Sequence, residues 1–219
     1  MRLLVGLGNP GPRYAGNRHN VGFMAVDAIV HRHGFAAPRS RFDGSLQEGE
    51  IAGERVLALK PLTYMNDSGR AVGAAAHFYK IEPADIVVFH DEIDLVFGKV
   101  RVKRGGGAGG HKGLRSIDAA IGPDYWRVRL GVGHPGIAEL VQHYVLQDFV
   151  AEERPVVAKL CEAVADALPL LLQGLAKDDP NAFMNKVTLA LNPPRPKPPK
   201  AAKPEAPASD NAAGGNGDA

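Results

Sequence analysis

Short apolar runs rich in β-branched residues alternate along this chain with longer stretches of helical period, and that alternation restricts the fold more than any other feature. Residues 3–7, 56–59, 86–89, 100–103 and 128–132 read as strands. Several are continuously apolar rather than alternating, as expected of a sheet covered on both faces. Helical patterns fall between them, at 21–33 (ending at Gly34), 68–79, 114–121, 138–146 and 152–172. The expected architecture is α/β, a single domain in which helices cover both faces of a twisted, mixed, mostly parallel sheet. The mixed character comes from residues 46–59, which suit a hairpin around Gly53. The domain is expected to span 1–192. From 193 to 219 the chain has no Ile, Leu, Val, Met, Phe, Tyr or Trp and holds seven of the 17 prolines, so that segment is expected to be a disordered Pro/Lys/Ala-rich tail.

Composition narrows the function classes. A formal charge of +2 gives no reason to expect sequence-blind coating of nucleic acid. A single cysteine rules out an internal disulfide and any Cys-based structural zinc site. The first ten residues read as a strand entering a turn rather than a signal-peptide core, and no stretch approaches the roughly 18 apolar residues of a membrane span. A cytoplasmic protein is the expectation.

Two glycine-rich segments invite phosphate-binding readings, and both fail on context. Gly6-Leu7-Gly8-Asn9-Pro10-Gly11 matches the dinucleotide pattern, but the prolines prolong the turn and the next helix starts only near Val21. Gly105 to Gly110 has the density of a phosphate cradle, yet Lys112 is followed by Gly113 rather than Ser or Thr. What remains is an open backbone within a basic stretch. From 95 to 117 the chain carries Lys99, Arg101, Lys103, Arg104, Lys112 and Arg115 with no acid, and Arg127 and Arg129 follow in the next strand. In a strand, Lys99, Arg101 and Lys103 share one face at roughly 6 to 7 Å spacing, which suits a polyanion.

No Gly-x-Ser-x-Gly elbow exists, and Cys161 falls in the apolar stripe of a helix. A hydrolase built here must therefore activate water through a histidine with an orienting acid. Of eight histidines, His19, His90, His111 and His134 fall at element ends or loops, and Asp91 sits at the exit of an apolar strand, where α/β sheets place their sites.

Five segments, in order, resemble the bacterial-type peptidyl-tRNA hydrolases. They are Gly6 to Gly11 with Tyr14 and Arg18-His19-Asn20, then Thr63 to Gly69, His90 to Leu95, Gly105 to Leu114, and Arg127 to Gly136. The resemblance implies a monomeric cytoplasmic enzyme that needs no metal or cofactor and cleaves the ester between a peptide and the 3′-terminal ribose of tRNA. By it, His19 is the general base on water, Asp91 orients and stabilises its imidazolium, and Asn9 separates blocked from free aminoacyl groups. Asn66 is implied to hold substrate, and Tyr14 and Tyr64 to line the tRNA 3′ end. Arg101, Lys103 and Arg129 resemble positions near the acceptor phosphates. Two residues depart from the pattern: Lys112 stands where many members have Asn, and Ala108 where many have His. A role for the Asn in positioning water or the tRNA end does not transfer to Lys112, whose cation suits a phosphate instead. Two other readings stay open. One is a metal-dependent hydrolase using His19, His90, Asp91 and His111, by residue type a legitimate ligand set. The other is a non-catalytic RNA-binding protein using the basic glycine loop.

Overall fold

The computed structural model describes residues 1–193. The tail expected from 193 onward lies, apart from Pro193, outside the described residues. Seven strands form one sheet in the order β2-β3-β4-β1-β5-β7-β6. β1 (Arg2–Gly6) lies at its centre, parallel to β4 (Glu54–Pro61) and to β5 (Ile86–Glu92), and β5 pairs in parallel with β7 (Trp126–Gly131). Antiparallel strands flank this parallel centre, β2 (Arg39–Arg41) and β3 (Gly44–Ile51) on one side and β6 (Val100–Arg104) on the other. The hairpin forms as expected around Gly53. Its two turn residues, Ala52 and Gly53, both have left-handed φ (52° and 79°), the geometry that matches strand twist.

Successive residues of the central strands divide between two apolar layers, which is why their sequences run apolar without alternation. Leu4, Val87, Phe89 and Val128 pack towards α1 (Val21–Arg32), α5 (Arg154–Leu175) and α6 (Asn181–Leu191). Leu3, Val5, Leu57 and Val88 pack towards α2 (Ser68–Tyr79) and α3 (Lys112–Ile121). At about 1.5–3 kcal/mol for each fully buried aliphatic side chain, these layers dominate the favourable side of folding. Gly6 and Gly8 serve that packing rather than a phosphate. A Cβ on Gly6 would lie 2.5 Å from the Gly22 carbonyl oxygen, and one on Gly8 would lie 2.7 Å from the Phe23 ring, so they let α1 approach the sheet.

α5 runs through Pro169, which lacks the N–H that would bond the Ala165 carbonyl. His33, just past α1, supplies the missing donor: its Nε2 lies 2.9 Å from that oxygen. Two elements exceed the sequence expectation, the short exposed β2 and the helix α6. The expected helix 138–146 is instead a 3₁₀ turn, Ala138–Leu140, followed by a short α4 (Val141–Val145). β1, β4, β5 and β7 are parallel, so their carboxyl ends share one edge, and the loops leaving them converge there.

Candidate active site

A cavity of about 500 Å³ opens at that edge. Three elements deliver its titratable core. Asp91 is the penultimate residue of β5, His19 sits in a 3₁₀ turn (Arg18–Asn20) leading into α1, and His111 caps the N-terminus of α3. His19 Nδ1 lies 2.8 Å and His111 Nε2 3.0 Å from the same oxygen, Oδ1 of Asp91.

The backbone of α3 fixes the proton positions. His111 Nδ1 lies 3.1 Å from the Gly113 N–H and 3.3 Å from the Leu114 N–H. Amides can only donate, so Nδ1 accepts, and the ring proton sits on Nε2 and points at Asp91. Asp91 is 4 % exposed. Burial alone would raise its pKa, but charge and hydrogen bonds from His19 and His111 hold it well below the usual carboxylate range. A carboxylate that stays ionised accepts the Nδ1–H of His19 and leaves the lone pair on Nε2. Among the described residues, nothing hydrogen-bonds that nitrogen.

Asn9 is equally constrained. Its Oδ1 accepts from the Met65 N–H at 2.8 Å, and its backbone exchanges two 2.9 Å hydrogen bonds with the Asn20 side chain. The amide oxygen is held by the Met65 N–H, while the Nδ2 donors have no protein partner among the described residues and are free for the cavity that Asn9 lines.

Tyr64, Asn66, Lys103, Lys112 and Arg129 line the same cavity. Tyr14 and Arg101 do not. Tyr14 is half-buried in its own turn, its hydroxyl 2.5 Å from the Arg13 guanidinium. Arg101 is exposed on β6 opposite Arg129, with its guanidinium 3.3 Å from the Val100 carbonyl oxygen. His134 is also apart, its Nδ1 accepting from the Gly136 N–H.

The basic stretch is less uniform than its sequence implies. Arg104 forks onto Asp124, and Arg129 pairs with Glu92 at 2.8 Å. Arg127 is wholly buried: it donates to the Gly107 carbonyl at 2.7 Å and to Asp118 at 2.9 Å, and lies 4.6 Å from the Tyr125 ring centroid. It is an anchor of the glycine loop rather than part of a solvated patch. Lys103 keeps a depressed pKa through partial burial and the neighbouring Arg129 and Arg127.

The four-residue metal set does not assemble. His19, Asp91 and His111 offer donor atoms within 4.8 Å of one another, but Asp91 Oδ1 already accepts from both rings. His90 instead turns Nδ1 onto the Asp91 backbone carbonyl at 2.7 Å, and burial lowers its pKa to about 3, so it is neutral. Cys161 is buried and its thiol is pushed up to about 12 by that burial, as befits a core residue.

The sequence model for peptidyl-tRNA hydrolase matches residues 3–192. The chain belongs to the peptidyl-tRNA hydrolase family. It is 61% identical over 201 residues to the peptidyl-tRNA hydrolase of Parvibaculum lavamentivorans, covering 91% of this chain and 96% of that one. It is 62% identical to that of Methylobacterium nodulans, over 87% of this chain and 92% of the relative. Among solved structures, the peptidyl-tRNA hydrolase of Acinetobacter baumannii superimposes with a TM-score of 0.78 at 40% identity, covering 85% of this chain and 94% of that chain. The peptidyl-tRNA hydrolase fold, an α/β enzyme fold, accounts for nearly every described residue, and neither a metalloenzyme nor a non-catalytic binding protein is favoured. No helix among the described residues is long and apolar enough to cross a membrane.

Proposed function

We propose that this member hydrolyses the ester joining a peptide to the 3′-terminal ribose of tRNA, with His19 Nε2 taking the proton from the attacking water. The observation that supports this most is the shared carboxylate oxygen. Asp91, held by His111 on one side, accepts Nδ1–H of His19 on the other and so presents Nε2 as a base to a water in the cavity. As the imidazolium forms, Asp91 stabilises it. Asn9 Nδ2 donates to the carbonyl oxygen of the peptide or to its developing oxyanion. Asn66 holds the peptide backbone, Tyr64 offers an exposed ring for a terminal base to stack on, and Lys103 and Arg129 approach acceptor phosphates. Tyr14 and Arg101 belong to the outer path of the tRNA. The enzyme is read as a monomer, and the roles assigned to these residues call on no metal or cofactor. A cytoplasmic setting, where tRNA is recycled, follows from the same reading.

An Asn9 whose oxygen is held by the fold and whose Nδ2 donors are free accounts for a preference for blocked substrates. The carbonyl of an N-acyl group can accept from Nδ2, whereas a free ammonium brings only donors and leaves the amide unpaired. The test is hydrolysis of N-acetyl-aminoacyl-tRNA against unblocked aminoacyl-tRNA. The wild type favours the blocked substrate strongly. Asn9→Ala lowers that preference by about 10- to 100-fold, the loss of one hydrogen bond to a charged or developing charge. No cleavage of the blocked substrate by the wild type would refute the assignment.

Lys112 opens α3 as its first residue, at the positive end of the helix dipole, where a cation costs about 0.3–1 kcal/mol. Among the described residues it has no acidic partner, and it lines the cavity, which fits a phosphate ligand. Lys112→Ala raises KM about 5- to 10-fold and leaves kcat within about threefold, as expected for a contact made equally in ground and transition states. Steady-state kinetics at fixed ionic strength check this; an unchanged KM with a large fall in kcat would contradict it.

A further inference from the structure

Arg18 directly precedes the base and is only 5 % exposed. Its guanidinium reaches across to the segment that follows α4, where Nη1 donates to the Asp148 carbonyl at 2.6 Å and Nη2 to Glu153 Oε2 at 2.6 Å. The guanidinium carbon lies 4.5 Å from the Tyr144 ring centroid and 5.2 Å from that of Phe149. Around this fork the backbones are joined as well. The Arg18 N–H donates to Gln147 O and the Phe149 N–H to Gly16 O, both at 3.0 Å, while Asn17 Nδ2 donates to Asp148 at 2.7 Å.

Two parts of the site hang on this junction. On one side, the 3₁₀ turn carries His19, whose ring is fixed to Asp91 and whose backbone is fixed here. On the other, α4 supplies Val141 and Val145 to the cavity wall. Burying a guanidinium is costly: its Nε has no partner among the described residues, and an apolar side chain of similar volume would pack the same space at lower desolvation cost. What an apolar residue could not do is donate two directed hydrogen bonds to two points of the neighbouring segment.

We propose that Arg18 is a positioning residue for the hydrolysis, its fork locking the α4 wall to the turn of the base so that His19 Nε2 keeps its aim into the cavity. This rests on the reading of His19 as base. The misplacement of a reacting group by about 1 Å can cost about 10²-fold, and that is the expected scale.

The experiment compares wild type, Arg18→Lys, Arg18→Met and Glu153→Gln for kcat and KM on N-acetyl-aminoacyl-tRNA. Thermal midpoints are measured alongside, together with the NMR signal of the His19 ring proton bonded to Asp91 in the free protein. Arg18→Met, which fills the space without the fork, is expected to stay folded and lose about 10²-fold in kcat with KM within about threefold. Arg18→Lys, a charge without a fork, does the same, and Glu153→Gln, which keeps an acceptor, loses less than about tenfold. In both Arg18 variants the ring-proton signal shifts or broadens. A folded Arg18→Met or Arg18→Lys with wild-type kcat would overturn the proposal, as would a loss that only follows the unfolded fraction. Should the wild type fail to cleave the substrate, the assignment of the site falls, and the ring-proton signal alone then decides whether Arg18 positions His19. An unchanged signal in folded Arg18 variants counts against it.

Discussion

His19→Ala is expected to lower kcat on N-acetyl-aminoacyl-tRNA by about 10³- to 10⁴-fold, the upper part of what a positioned general base contributes. The estimate is high because no other group is placed to substitute. His111 is the nearest imidazole, its ring centroid 4.8 Å from that of His19. Its Nδ1 is committed to the first turn of α3 and its Nε2 carries a proton towards Asp91, so it has no free lone pair. His90 packs its ring 5.2 Å from that of His111, but its Nδ1 is bonded to the Asp91 backbone carbonyl and its pKa is lowered to about 3 by burial, so it is a poor base in the range where the enzyme works. The loss is expected to come with a native fold, because Asp91 retains His111 and the 3₁₀ turn retains its backbone ties to the segment after α4. Single-turnover rates with the variant at saturating concentration check the chemistry, and circular dichroism with a thermal midpoint checks the fold. Near-wild-type turnover by a folded His19→Ala would remove His19 from the mechanism. What survives in the variant measures the share supplied by Asn9 and substrate binding.

The parts of this molecule that follow from local pattern were legible, and those that depend on distant partners were not. α1 and α2 are set by apolar spacing and by their flanking turns, and the hairpin at Ala52-Gly53 by turn chemistry. α6 buries only Phe183 and Val187 completely, too thin a stripe to stand out beside a proline-rich segment, and β2 is a short exposed Arg-Ser-Arg stretch that exists because β3 pairs with it. Arg127 illustrates the limit for the site. Following the acid-free stretch 95–117, its charge reads as part of one basic face, but Asp118 lies nine residues away and Tyr125 on its own strand's approach, and the fold brings both beneath the glycine loop. His111 is similar. It falls in a loop just ahead of the expected helix 114–121, yet its partner Asp91 is supplied by β5 and is evident only once the fold is known. Asn9, His19, Asp91 and Asn66 did converge on one cavity, because each follows or ends an element whose carboxyl edge is common.

Asp91→Asn is the substitution with the other large expected effect, about 10²- to 10⁴-fold in kcat with KM nearly unchanged. An asparagine preserves shape but offers one acceptor and one donor where the carboxylate offers only acceptors. His19 and His111 both point N–H groups at a single oxygen, so the amide can face that oxygen to them and lose only charge, or turn its NH₂ to them and force His19 into the tautomer with Nε2 protonated. The first orientation leaves the imidazolium of the reaction without its counter-charge, and the second removes the base, so either impairs the chemistry rather than binding. The same residue links stability to acid pH. Its pKa is lowered on folding, so the stabilisation it brings is fully present above the ordinary carboxylate pKa near 4 and fades as pH falls towards the depressed folded value. Between pH 5 and 8 the carboxylate stays ionised, and its titration contributes nothing to the pH dependence of turnover there. Thermal midpoints from pH 2 to 7 should therefore fall more gently in the acid range for Asp91→Asn than for the wild type, and single-turnover rates should fall without a matching rise in KM. An Asp91→Asn enzyme with unimpaired single-turnover chemistry would show that His19 does not depend on this carboxylate, and the shared-oxygen mechanism would fail.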